Sequence, residues 1–276
     1  MNRLLVIAGS LAIVHSVYAQ SIPVTTCGQT IPRSRTGILS GNLTCTAVDQ
    51  FTVDIGVVLE NNARLDLNGF KISVSGDTGP IYGVFCSAGC AVFSSAAPGE
   101  IETAANGAAI YASGKIRATN LSLYGNGGGI VGHERTHVYA TNVDASNNIL
   151  WGVGVVATVR AESLTTNNNQ HGIAVEHKVR GNNITANGNL QWGIDAGRSM
   201  NGTNVTVMNN GVVGIDTSTA GSDNLGRIVL RSSTVTGNPL DLVSNHRPRL
   251  TDTTCGVSAK QLDPEPGDSW FVCAND

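Results

Sequence analysis

Between Gly83 and Asn238 a small residue followed by a branched aliphatic one returns at short, nearly constant intervals. The pairs are Gly83-Val84, Ala109-Ile110, Gly129-Ile130, Gly152-Val153, Gly172-Ile173, Gly193-Ile194 and Gly214-Ile215, spaced 26, 20, 23, 20, 21 and 21 residues apart. An asparagine stands three or four positions before most of them, at Asn106, Asn126, Asn148, Asn169, Asn189 and Asn210. A period near twenty without heptads or a leucine-rich consensus marks a solenoid. Each repeat holds two short runs of alternating pattern. In the first, the next inward position after the anchor is small or branched: Cys86, Ala112, Gly132, Val155, Val175, Ala196 and Thr217. In the second, an apolar row runs through Leu121, Val143, Leu164, Ile184, Val205 and Val235, with Ile116, Val138, Val159, Val179 and Met200 as its earlier inward neighbours.

Short strands separated by Gly and Asn corners are what a parallel β-helix requires. Gly and Asn accept left-handed backbone, and stacked Asn side chains can bond from one rung to the next. No segment sustains the apolar stripe of an amphipathic helix. The pattern predicts an all-β chain: a single-stranded right-handed parallel β-helix with N- and C-terminal caps.

Residues 1–19 read as a secretory signal peptide, with Arg3, the apolar run Leu4–Val14 and the small-residue site Val17-Tyr18-Ala19. The apolar run is too short to span a bilayer, and no other membrane segment follows. Residues 20–80 are assigned to an N-terminal cap and first rungs, 81–238 to the repeats, and 239–276 to a C-terminal cap or tail. Pro239, Pro248, Pro264 and Pro266 break strands in that tail. The expected location is secreted or periplasmic. Export permits disulfides, and the six cysteines form three near pairs, Cys27/Cys45, Cys86/Cys90 and Cys255/Cys273. A zinc site has no second close pair with histidines at ligand spacing.

Composition narrows the function. A net charge of −3 excludes a globally basic nucleic-acid binder, though not a local basic stripe. An aromatic content of 5% argues against a base-stacking platform.

The runs Cys27-Gly28-Gln29-Thr30-Ile31, Gly41-Asn42-Leu43-Thr44-Cys45 and Leu65-Asp66-Leu67-Asn68-Gly69-Phe70-Lys71-Ile72 resemble the opening of exported right-handed β-helix repeat proteins. These belong to the pectate-lyase-like superfamily of polysaccharide lyases, polyuronate epimerases and glycoside hydrolases. The resemblance covers nearly the whole mature chain at the level of fold, and its motifs mark architecture. The Asn-Thr-Asp, Asp-Asp and Gly-His-Gly motifs of polygalacturonase-like enzymes are absent, as is the Asp-Pro-His-Asp motif of mannuronan epimerases.

Aligning the repeats turns equivalent positions into columns. Arg117, Tyr139, Arg160, Arg180 and Asn201 form one outward column, and Lys115, His137, Thr158, Lys178 and Ser199 another two positions earlier. With rungs ~4.8 Å apart, this is a basic strip on an otherwise acidic chain. Like charges so stacked repel unless an anion lies over them. A second cluster, His133, Glu134 and Arg135 with Glu176, His177, Lys178 and Arg198, sits where the first run turns towards the second. Val156 and Ala157 in the rung between would leave a shallow gap beside the strip.

Together these groups suit acid–base chemistry on a uronate. Lys115, Arg117, Arg160, Lys178, Arg180, Arg198, Glu134 and Glu176 are the candidate substrate-binding residues. His137, Tyr139, His133 and His177 are the candidates for proton transfer. The expected activity is β-elimination or epimerisation on an acidic polysaccharide. The alternatives are a non-catalytic carbohydrate-binding or adhesion solenoid, a small-molecule isomerase or cyclase, and a glycoside hydrolase using Asp195 and Asp216. Those two aspartates should point outward one strand spacing apart. Trp151, His171 and Trp192 share one offset and read as a packed corner more simply than as a sugar platform. The sequons at Asn42, Asn120, Asn183, Asn201 and Asn204 read as by-products of Asn-aliphatic-Thr strands. No cofactor is implied, and a calcium ion has no supporting motif.

Overall fold

The computed structural model describes residues 21–46, 54–76, 79–133, 135–218, 226–261, 265 and 267–276. The signal-peptide assignment, Glu134, Pro264 and Pro266 lie outside these. Among the described residues the chain forms 27 strands and no helix, in an eleven-stranded sheet 1 and a sixteen-stranded sheet 2, with every pairing parallel. The chain passes alternately through the two sheets, each new strand pairing with the one about a repeat earlier. Gly128–Gly132 pairs with Trp151–Val155, and His137–Asp144 with Thr158–Thr165. This all-β stack of parallel turns is compatible with a parallel β-helix.

Sheet 2 contributes two sides of each turn, because its strands bend in the middle. Ile116–Leu123 pairs through its first half with Cys90–Phe93 and through its second with Gly99–Thr103. The bend falls at Asn120, which is left-handed (φ 57°), as are Asn142, Ser163, Asn183, Asn204 and Ser232 on later rungs. Asn120, Asn183 and Asn204 are therefore corner residues, which accounts for their recurrence ahead of an aliphatic residue and a hydroxyl.

The turn from sheet 2 back to sheet 1 splits its work between two residues. The left-handed position is Gly125, Asn147, Asn168, Gly188, Asn209 or Gly237. The next residue (Asn126, Asn148, Asn169, Asn189, Asn210 or Asn238) is buried, and its side-chain oxygen accepts a hydrogen bond from the preceding rung. Asn126 Nδ2 donates to Asn148 Oδ1 at 2.9 Å, and Asn189 Nδ2 to Asn210 Oδ1 at 2.9 Å. The backbone N–H of each ladder asparagine also donates to the next side-chain oxygen, as from Asn148 to Asn169 at 2.8 Å. Thr103 Oγ1 donates to Asn126 Oδ1 at one end, and Asn238 Nδ2 donates to Asp241 Oδ1 at the other. Asn106 is not in this row; its Nδ2 donates to the Gly79 carbonyl.

The small anchor residue is required by close approach of neighbouring backbones. A Cβ at Gly172 would lie 2.4 Å from the Gly193 carbonyl oxygen, and one at Gly129 would lie 2.5 Å from that of Gly152. The aliphatic partners, from Val84 to Ile215, are fully buried in one continuous core. Val235 departs from its expected place: it pairs with Val207, while Ser233 accepts the Val205 N–H at 3.0 Å. The parallel ladders continue past Asn238 through Leu240–Val243 and Ser258–Ala259.

Three disulfides join Cys27–Cys45, Cys86–Cys90 and Cys255–Cys273, with Cα separations of 5.7, 6.0 and 5.0 Å. Such bridges are typical of extracellular proteins. The first and last each close an 18-residue span near an end of the stack, a loop size associated with about 3 kcal/mol of stabilisation. Among the described residues no helix is long and apolar enough to cross a membrane.

Candidate functional site

Parallel register places the predicted strip residues in line. On the outer face of sheet 2, Arg117 lies opposite Tyr139, Tyr139 opposite Arg160, and Arg160 opposite Arg180. The adjacent column aligns His137 with Thr158, Lys178 and Ser199. Inward neighbours Ile116, Val138, Val159 and Val179 are fully buried, so the outward alternates face solvent.

Tyr139 organises the cations around it. The Lys115 ammonium lies 4.6 Å from the ring centroid, and the Arg117 and Arg160 guanidinium carbons each lie 5.7 Å away. Attraction to the ring offsets part of the repulsion between these charges, at about 0.5–1 kcal/mol for an exposed contact. Among the described residues, the ion pairs join Lys71 to Glu102 (2.6 Å) and Glu100 (4.0 Å) elsewhere on sheet 2, and none reaches the strip. The strip's cations thus stay available to an external anion. Tyr139, Arg160, Arg180 and Glu162 line a shallow cavity of about 320 Å³. Glu162 was not anticipated; it stands one alternate position beyond Arg160 and accepts from Asn182 at 3.1 Å.

The column also runs further than the sequence pattern indicated. Register carries it from Arg117 back through Ala91 to Arg64, and from Arg180 on through Asn201 and Val229 to Arg249. Eight steps at ~4.8 Å make a track of roughly 38 Å. Arg64 rests over Phe93 at 5.0 Å and borders a cavity of about 400 Å³ with Lys115 and Arg117. Arg227, His246, Arg247 and Arg249 surround another of about 330 Å³ at the far end. The Arg64 rung carries the anchor Gly56-Val57, which lies ahead of the aligned stretch, and the Arg249 rung has Asp241-Leu242 in the anchor's place, so the repeat alignment that found Arg117 reached neither.

The second predicted cluster divides. Glu176, His177 and Arg198 line a cavity of about 690 Å³ on the outer face of sheet 1, together with Asp195, Trp151, Val155 and Val156. The gap expected at Val156 is part of it. Neither this cavity nor the one around Tyr139 includes the other's side chains, so one groove is replaced by two surfaces separated by a corner of the coil. His133 lies exposed in the preceding turn and lines neither, and Glu134 is outside the described residues.

Asp195 and Asp216 do pair in register, but only Asp195 is partly exposed. Asp216 is fully buried, contrary to the outward placement expected of it. Ser218 folds back so that its N–H and Oγ both donate to Asp216 Oδ1 at 2.7 Å. Burial pushes the Asp216 carboxyl above the usual carboxylate range, with the Ser218 bonds opposing the shift. With Asp216 buried, the two carboxylates are not presented together to solvent. Trp151, His171 and Trp192 occupy one column at the start of their strands rather than in a corner, and His171 stacks on Trp192 at 4.8 Å. Burial lowers the His171 pKa and favours its neutral form.

Among the described residues, no group of three or more His, Cys, Asp or Glu side chains could hold a metal ion. Comparison of the chain with known protein families, with curated proteins and with solved structures finds no match. The functional reading therefore rests on the site itself.

Proposed function

We propose that this chain is an exported right-handed parallel β-helix of the pectate-lyase-like kind that holds an anionic polysaccharide lengthwise on the outer face of sheet 2. The right hand is the one that strand–crossover–parallel-strand connections adopt. Three disulfides favour export. The observation that carries the binding role is the in-register row Arg117–Tyr139–Arg160–Arg180, in which Tyr139 supports Arg117 and Arg160 and no cation has a described carboxylate partner. Arg160 and Arg180 present adjacent guanidiniums for sugar carboxylates, a geometry suited to bidentate hydrogen bonds. Arg117 and Lys115 extend the same contact by a rung.

Proton abstraction next to a bound carboxylate, giving β-elimination or epimerisation, is the second reading. It is favoured by His137, Tyr139 and Glu162 on the same face as the two arginines. The guanidiniums would stabilise the negative charge that develops as the proton leaves. Incubation with a panel of polyuronates, followed by unsaturated-product absorbance and proton NMR, tests turnover. Arg160→Ala with Arg180→Ala is expected to abolish most polyuronate affinity. His137→Gln and Tyr139→Phe should cost 10²–10⁴-fold in rate if either group moves the proton. Unchanged affinity in the double arginine variant would make the strip a solvated face and end this reading.

A further inference from the structure

We propose that the cavity on the outer face of sheet 1 binds a neutral pyranose ring stacked on the Trp151 indole. This subsite is independent of the anionic strip: it lies around the corner of the coil and uses different forces.

The placement of Trp151 is specific. A Cβ built on Gly154 would lie 3.0 Å from Trp151 Cγ and 3.2 Å from Cδ2, and one on Gly128 would lie 3.7 Å from Cε3. The indole therefore lies down over glycine on the sheet surface instead of standing away from it. In the neighbouring rungs the position of Gly154 is held by Val131 and Ala174, whose side chains would displace the ring. Glycine at this one rung makes the bed, and the cavity of about 690 Å³ opens beside the ring.

The cavity's chemistry matches a sugar ring. Trp151, Val131, Val155, Val156 and Ala174 give an apolar floor and wall, and Glu176, His177, Asp195 and Arg198 give a polar edge. A pyranose offers the same pair of surfaces, an apolar C–H face for the indole and a hydroxyl edge for the polar groups. The carboxylates of Glu176 and Asp195 can accept hydroxyl protons, and the guanidinium of Arg198 can donate. Two carboxylates against one guanidinium give no excess of cation, so a carboxylated sugar gains nothing here that it gains on sheet 2. The ring selected is neutral.

The test is titration of the full chain with neutral β-1,4-linked hexasaccharides of glucose, xylose and mannose, read by calorimetry and by the NMR signal of the Trp151 indole N–H. The expected result is that at least one of them binds and moves that signal. Trp151→Ala should then weaken binding about tenfold or more, Trp151→Phe should retain much of it, and Arg160→Ala with Arg180→Ala should leave it unchanged. Far-UV circular dichroism checks the fold of each variant, and the wild-type indole signal decides the matter if Trp151→Ala does not fold. Binding that survives Trp151→Ala, binding lost with the arginines instead, or an indole signal that none of the three sugars moves would each overturn the proposal.

Discussion

A buried asparagine has two donors and an acceptor to satisfy, and the ladder shows how one residue type does so rung after rung. Asn169 donates from Nδ2 to the Ala145 carbonyl (3.2 Å) and to Asn189 Oδ1 (3.3 Å), while its own Oδ1 accepts the Asn148 N–H (2.8 Å). Asn169→Ala leaves that buried N–H without its acceptor. The expected loss is about 2–3 kcal/mol, read as a lower denaturation midpoint at unchanged slope. Exposed Asn201 should tolerate the same change within about 0.5 kcal/mol. At this scale the sequence was readable where a residue meets its own copy in the next repeat. The asparagine corners, the glycine anchors and the alternation that turns Arg117 and Arg160 outward all follow from periodicity. It was unreadable where a partner comes from outside the period. Nothing in the repeat announces that Ser218 folds over Asp216, or that Gly154 makes a bed for Trp151.

Strands here are too short to be stable alone, so each element depends on the turns above and below it. Among the described residues the last turn pairs on one side, and Asp276 helps fasten it. Its Oδ1 accepts the Ser258 N–H, and its Oδ2 accepts the Ser258 hydroxyl and the Val272 and Cys273 N–H groups. Burial would raise its pKa, but these hydrogen bonds outweigh that and hold it below the usual value of 3.8. A depressed carboxylate pKa stabilises the fold above the unfolded value and loses that contribution as pH falls through the folded one. Asp276→Asn should therefore melt below wild type at neutral pH, and the two melting curves should converge as the solution is taken below about pH 3.8. A constant gap from pH 7 to pH 2 would show that the contribution is not ionic. The element register explains the one misplaced strand as well: repeat spacing changes after Val207, so an alignment by period alone set Val235 two residues away from its true partner.

At the scale of the molecule, a chain of net charge −3 puts Arg64, Lys115, Arg117, Arg160, Lys178, Arg180, Arg227, Arg231 and Arg249 on one face. A face of this kind attracts a polyanion over its whole length, and the attraction is screened by salt. Affinity for polyuronate fragments should rise with fragment length until the track of roughly 38 Å is covered, then level off. It should fall steeply as salt is raised from about 0.05 to 0.5 M, and Arg64→Ala should matter only for fragments long enough to reach it. Affinity independent of length beyond two sugars would confine binding to the Arg160–Arg180 pair. Single-stranded nucleic acid binding as tightly as polyuronate would replace the sugar by another polyanion.

The row of asparagines also has a direction. Each backbone N–H from Asn126 to Asn210 donates to the side-chain oxygen of the next asparagine, and the side chains of Asn126, Asn169, Asn189 and Asn210 give one N–H to the same acceptor. Aligned amide dipoles add, much as peptide dipoles do along an α-helix, and leave a positive end. That end meets the Asp241 carboxylate, which also accepts the N–H groups of Gly256 and Val257. A fold with no described helix thus acquires a macrodipole with an anion at its positive pole. Lengthening the stack by one rung would need more than another repeat: an asparagine would have to replace Asp241, and the negative charge would have to move outward to the new end.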